Sequence, residues 1–117
     1  MPNIRDVVQQ LGGREGVDGV ILLGRDGLTI DSFVSGNLDT ESVSALVPSV
    51  VDSCSRVGVE SGHGQFFTCV VEYTGGLAII AKLTPDTLLS VLVQPDVNVG
   101  SLLYDLRRYR VAIAELL

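Results

Sequence analysis

The sequence has no tryptophan, one methionine, one histidine (His63) and one lysine (Lys82). Aromatic residues make up only 5% of it, so any core has to be aliphatic, mainly Val and Leu. One histidine and two cysteines, Cys54 and Cys69, with no C-x-x-C pair, fall short of the clustered ligands a metal site needs. The phosphate-cradling G-x-x-x-x-G-K-[ST] loop is absent, and Lys82 follows Ala81 rather than a glycine loop. Gly12, Gly13 and Gly16 follow a predicted helix, so they read as a cap and a turn, not a dinucleotide loop. No run reaches the roughly 18 apolar residues of a membrane span. The start, Met1 to Asp6, lacks the basic stretch and apolar run of a signal peptide. These absences point to a cytoplasmic protein without cofactor, metal or small-molecule substrate. In a reducing compartment, Cys54 and Cys69 are expected as reduced, buried small hydrophobes. A cysteine nucleophile would need His63 as its base, but Cys54 sits on an apolar helix stripe and Cys69 mid-strand. The chain is therefore read as a non-enzyme.

What is present is compact in scale and rich in apolar residues. The 117 residues fit one domain, 1–117, with one hydrophobic core. Apolar residues reach 46% and mean hydropathy is +0.41, so much of the chain has to be buried, part of it against a partner. The formal net charge of −6 repels phosphate backbones and anionic lipid, which argues against nucleic acid and membrane as partners. The basic run Arg107-Arg108-Tyr109-Arg110 is the local exception. It is read as a solvated face of the last helix, favoured by the C-terminal dipole.

Along the chain, Asn3 caps a first helix with Ile4, Val7, Val8 and Leu11 on one face, ended by Gly12-Gly13. Val17 to Gly24 is a strand, turned by Asp26-Gly27 into a second strand, Leu28 to Val34. Asp39 caps a long second helix with an inward stripe of Val43, Leu46, Val47, Val50, Cys54 and Val57. Pro48 interrupts this helix and is expected to kink it, and Gly58 to Gly64 is expected to end it. Three strands follow, Gln65 to Thr74, Leu77 to Leu83 and Thr87 to Gln94, joined by turns short enough for an antiparallel meander. Asn98 then caps a last helix with Val99, Leu102, Leu103, Leu106, Ile113 and Leu116 on one face.

The strands Leu77 to Ala81 and Leu88 to Val93 are apolar on both faces, so both faces of the sheet have to be covered. The predicted fold is α/β: a three-layer α-β-α sandwich around a mainly antiparallel sheet of about five strands. Its order is helix, two strands, helix, three strands, helix. Three helices split over two faces leave one face with a single helix. Such a helix is about 10 Å wide against strands about 4.8 Å apart, so a second chain is expected to complete that face.

The element order resembles the roadblock family, the dynein light-chain roadblock type. So do the hairpin Val20 to Leu28, the glycine ending the second helix, and the stretch Leu88 to Gly100. The segment Gly100-Ser101-Leu102-Leu103-Tyr104-Asp105-Leu106-Arg107-Arg108 resembles the bacterial members, which include regulators of the gliding-motility Ras-like GTPase. Pro48 departs from the family's unbroken second helix. The resemblance implies dimers whose sheets join through the third strand, with the second helices side by side, and a role in binding or regulating small Ras-like GTPases.

Two sites follow. The segment Gln65 to Thr74 carries no Pro and no Lys, so at a sheet edge it would aggregate unless paired. The expected homodimer interface is Phe66, Phe67, Thr68, Val70, Val71, Glu72 and Tyr73. On the second helix, Ala45, Ser49, Asp52, Ser53 and Arg56 point away from the inward stripe and form the expected partner-binding platform. The competing reading is a ligand-sensing domain of the PAS or profilin-like kind. That needs a pocket with converging polar groups, and the strands offer only Thr68, Glu72, Lys82 and Ser90.

Overall fold

A computed structural model describes residues 3–117. Met1 and Pro2, part of the stretch read above as lacking a leader, lie outside the described residues. Helix α1 spans Ile4–Gly12. Asn3 Oδ1 accepts from the Asp6 amide, and Asp6 Oδ2 accepts from the Asn3 amide, each at 3.0 Å. This reciprocal pair satisfies two backbone donors that a helix start leaves without partners. Strand β1, Val17–Gly24, turns into β2, Thr29–Val34. Gly27 makes the turn at φ +85°, a backbone conformation only glycine adopts freely.

Helix α2 runs unbroken from Thr40 to Glu60, through Pro48. Asp39 caps it, accepting from the Ser42 hydroxyl at 2.7 Å and the Ser42 amide at 3.1 Å. The Ser42 side chain, then its amide, hold the Asp39 carboxyl below its ordinary range. Strands β3 (Thr68–Tyr73), β4 (Gly76–Thr84) and β5 (Thr87–Val93) form the meander, and α3 covers Val99–Glu115 from an Asn98 cap.

The sheet order is β2-β1-β5-β4-β3, with every neighbouring pair antiparallel. The two edges are therefore β2 and β3, and α2 is the segment that carries the chain from one to the other. Its 21 residues reach about 30 Å. Five strands need only about 19 Å from first to last, so the helix is longer than the crossing requires.

The two faces hold separate aliphatic clusters. Val20, Leu22, Ile79, Leu89 and Val91 pack under α1 and α3 with Val8, Leu102, Leu106 and Ile113. Ile21, Leu23, Ile80 and Leu88 pack under α2 alone, with Val47 and Val51. The three-layer sandwich with one singly covered face is thus what the sequence led us to expect.

Several local expectations need correction. Strand β3 begins at Thr68, so Phe66 and Phe67 precede it. Only a backbone bond from the Lys82 amide to the Phe67 carbonyl, 2.9 Å, continues the pairing. The buried line of α2 is Ser44, Val47 and Val51, while Leu46 and Val57 are 68% and 67% exposed. The stripe is rotated because Ser44 is drawn inward by a 2.7 Å bond between its hydroxyl and that of Thr29 on β2. The basic run occupies the middle of α3, and the last turn of that helix holds no basic residue, so the end dipole does not act on it.

As expected, α2 ends within the stretch Gly58 to Gly64, at Glu60, and Gly58 belongs to its last turn. That residue lies inside the helix, and its carbonyl accepts from the His63 and Gly64 amides at 2.8 and 3.2 Å. A Cβ at this position would lie 2.6 Å from the Gly64 carbonyl oxygen. Replacing an interior helix glycine by alanine ordinarily stabilises by about 1 kcal/mol. Here the methyl meets fixed backbone, and overpacking of that kind costs about 1–3 kcal/mol. Gly58→Ala is therefore expected to lower stability by about 1 kcal/mol net, read as a lower urea midpoint. A raised midpoint would mean the Gly62–Gly64 loop yields freely.

Candidate functional site

Strand β3 pairs with β4 on one side only, from Thr68 opposite Ala81 to Tyr73 opposite Gly76. Its other side is open. Backbone groups of an antiparallel strand alternate in direction. Since the Phe67 carbonyl bonds to β4, the alternation directs Cys69, Val71 and Tyr73 toward β4 as well. Thr68, Val70 and Glu72 then direct their backbone N–H and C=O away from the sheet.

Side chains alternate on the same strand. Cys69 packs into the cluster beneath α2, so Val71 and Tyr73 share that face. Val70, Glu72 and Tyr73 are exposed; Thr68 and Val71 are half-buried. Phe66 is half-buried in the α2-side cluster, whereas Phe67 is 55% exposed.

The five platform residues proposed on α2, Ala45, Ser49, Asp52, Ser53 and Arg56, are all exposed. Between platform and β3 lies a flank that the sequence pattern had assigned to the core. Leu46 and Val57 stand out from it, with Val59 exposed near the helix end. Ser53, Cys54 and Val57 line the same shallow depression, about 480 Å³, as Phe66, Phe67 and Cys69. Helix flank and strand edge therefore form one continuous, largely apolar surface.

Cys54 and Cys69 meet in that depression. Both are free and half-buried, not fully buried as expected. Burial pushes the Cys69 thiol up from its ordinary 9.0 to about 11, and the neighbouring Cys54 thiol adds to the shift. Their adjacency had no signature in the sequence, because it depends on how α2 lies over β3. His63 is exposed, its Nδ1 2.8 Å from the Ser61 hydroxyl.

Ser90 is 1% exposed and its hydroxyl has no hydrogen-bond partner. Among the described residues, no group of three or more His, Cys, Asp or Glu could hold a metal ion, and no helix is long and apolar enough to cross a membrane.

A family model for the Roadblock/LC7 domain matches residues 4–93. An uncharacterised protein of Methanocaldococcus jannaschii is 28% identical over 102 residues, covering 87% of this chain and 89% of that one. Among solved structures, Myxococcus xanthus MglB is similar with a TM-score of 0.86 at 18% identity, covering 97% of this chain and 93% of its own. A structure of MglB in a tetrameric arrangement gives a TM-score of 0.86 at 14% identity, with 97% and 86% covered. At such identities the likeness is one of fold.

The thiol pair yields a direct check on this surface. Thiolate, not thiol, is the nucleophile. A shift from 9.0 to about 11 lowers the thiolate fraction at neutral to mildly alkaline pH about a hundredfold. Native-state alkylation of Cys69, followed by mass spectrometry, is expected to lag a free cysteine by about that factor and to accelerate only as pH rises toward 11. Cys54→Ala removes the neighbouring thiol that adds to the effect of burial, so it should speed Cys69 labelling. Labelling of wild-type Cys69 at the rate of a free cysteine would contradict this geometry.

Proposed function

We propose, from the premise that this chain belongs to the Roadblock/LC7 family, that it is a non-catalytic regulatory or scaffold module. In this reading residues 1–117 form one domain that acts as a homodimer in the cytoplasm. The observation that carries it is the open edge of β3 together with the shallow depression beside it, where Cys54 and Val57 of α2 meet Phe66, Phe67 and Cys69, with Leu46 exposed further along the helix. An exposed strand edge beside exposed apolar side chains is a hazard unless another chain covers it. A second copy does so economically: the β3 strands pair across a twofold axis, and the α2 flanks meet beside the seam. The other edge, β2, is a weaker candidate because α1 packs beside it, with Gly12 against the Phe33 ring.

Pairing through β3 leaves the Ala45, Ser49, Asp52, Ser53 and Arg56 faces of both helices open. Small side chains there allow another protein's backbone to approach closely. The finer assignment, a small Ras-like GTPase as the occupant, rests on the resemblance of the hairpin and the last helix to bacterial roadblock proteins. The MglB fold likeness supports it.

Two measurements test this reading. Val70 directs its amide away from β4, so Val70→Pro should remove a bond to the second copy and leave the β3–β4 ladder intact. Light scattering is expected to give a dimer mass for the wild type and a monomer mass for Val70→Pro, with unchanged circular dichroism. Val71→Pro, whose amide faces β4, should instead unfold the sheet edge. A monomeric wild type at micromolar concentration would refute the dimer.

For the platform, Ala45→Arg and Ser49→Arg are exposed changes that should cost less than about 0.5 kcal/mol. Calorimetric titration with small Ras-like GTPases in both nucleotide states is expected to show at least about tenfold weaker binding, or about 1.4 kcal/mol. Wild-type affinity in both variants would place the binding surface elsewhere.

A further inference from the structure

On the opposite face of the sheet from α2, a cleft of about 370 Å³ opens between α3 and the β3–β4 edge. We propose that this cleft binds an acidic peptide segment of a partner protein, in which a carboxylate stands beside an apolar side chain. Its floor is Ala81, Leu83 and Leu106, all buried to within a tenth of their surface. Its rim carries the guanidinium groups of Arg107 and Arg110. The Arg110 guanidinium stacks over the Phe67 ring, 3.9 Å from the centroid, which fixes its plane. Stacking occupies the face of the group and leaves its edge, where the N–H donors lie, free to grip a carboxylate through two parallel bonds.

Charge complementarity identifies the occupant. Arg107, Arg108 and Arg110 supply three of the chain's eight basic residues within one helical turn, in a molecule of net charge −6. Among the described residues the one salt bridge joins Arg14 and Asp105 at 2.7 Å, so none of these three arginines is paired with a carboxylate of those residues. A cation rim without internal counter-charge selects an anion, and the aliphatic floor selects an apolar group next to it. Long polyanions are disfavoured because their flanking charges come within a Debye length, about 8–10 Å, of the acidic residues elsewhere on a surface of net negative charge. A short segment with one or two carboxylates reaches the rim without entering that field.

The cleft shares Phe67 and Thr68 with the proposed dimer seam, so the test reads peptide binding, with mass followed only as a control. Fluorescence anisotropy would follow a labelled short peptide of alternating Glu and Leu, with a Gln-Leu version and a Glu-Ser version as controls. The Glu-Leu peptide is expected to bind, and both controls to bind at least tenfold more weakly. Arg107→Gln with Arg110→Gln should weaken Glu-Leu binding at least tenfold, and Arg110→Lys, which keeps the charge but loses the fork, should weaken it less. Raising salt from about 50 to about 300 mM should also weaken it. Circular dichroism and light scattering of each variant would establish that fold and mass are unchanged. Equal binding of the Glu-Leu and Gln-Leu peptides, insensitivity to the arginine changes, or no binding at all would overturn the assignment. So would arginine-dependent binding of anionic vesicles in place of the peptide.

Discussion

A five-stranded sheet whose central strands are aliphatic on both faces cannot leave either face wet, and the rest of the molecule follows from that. Strands β1, β4 and β5 are buried almost throughout, whereas β2 and β3 are exposed along much of their length. Burial is thus concentrated in the middle of the sheet, where α1 and α3 cover one face and α2 the other. Because β2 and β3 lie at opposite edges, the connection between them has to traverse the whole sheet. The traverse is α2, and a single helix laid over a sheet leaves uncovered area beside it. The open surface next to β3 is therefore a consequence of topology and not of a local irregularity.

How α2 is anchored decides which of its flanks stays open. Its first half is held tightly at the β1–β2 end. Ser44 is fully buried against Thr29, and a Cβ at Gly27 would lie 3.4 Å from the Ala45 Cα. Pro48 sits one turn later, lacking the amide that would bond to the Ser44 carbonyl, and the helix continues regardless. The second half is fixed by the Gly58–Gly64 contact and by the thiol pair. Anchored in this way, α2 turns Ser44 and Val51 inward and leaves Leu46 and Val57 outside. Two of its bulkiest aliphatic side chains are thus exposed by a hydroxyl bond made elsewhere on the same helix.

That rotation marks the limit of what could be read from the residues alone. The element order, β1, the Asp26-Gly27 turn and all three N-caps were legible, since turn chemistry and caps are local. The face of α2 was not. Apolar residues at Val43, Leu46, Val47, Val50, Val51, Val57 and Val59 occupy so much of its circumference that a period of about 3.6 residues leaves the centre of the stripe undetermined. The deciding contact, Ser44 with Thr29, joins two elements. For the same reason the Cys54–Cys69 adjacency and the Arg110–Phe67 stack were invisible: each joins residues on separate elements whose relative placement only the fold supplies. Strand β3 was overextended because Gln65 to Phe67 has strand composition, while the chain there is still leaving the Gly62–Gly64 turn.

Sheet geometry also ties the proposed surfaces to one another. Antiparallel pairing of two β3 edges around a twofold axis extends a single sheet, so each face of one copy continues into the same face of the other. Both α2 helices would then stand on one side of a ten-stranded sheet, twice the five strands of each copy. Both arginine-rimmed clefts would stand on the other side, close to the seam, because Thr68 belongs to the cleft and to β3 alike, with Phe67 just before it. The two sides differ in character. The α2 side presents small and mixed polar residues suited to close backbone approach. The α3 side presents concentrated positive charge on a molecule that is otherwise acidic. A dimer of this form could engage two chemically different partners without competition between them, and its twofold symmetry would offer each partner a pair of equivalent sites.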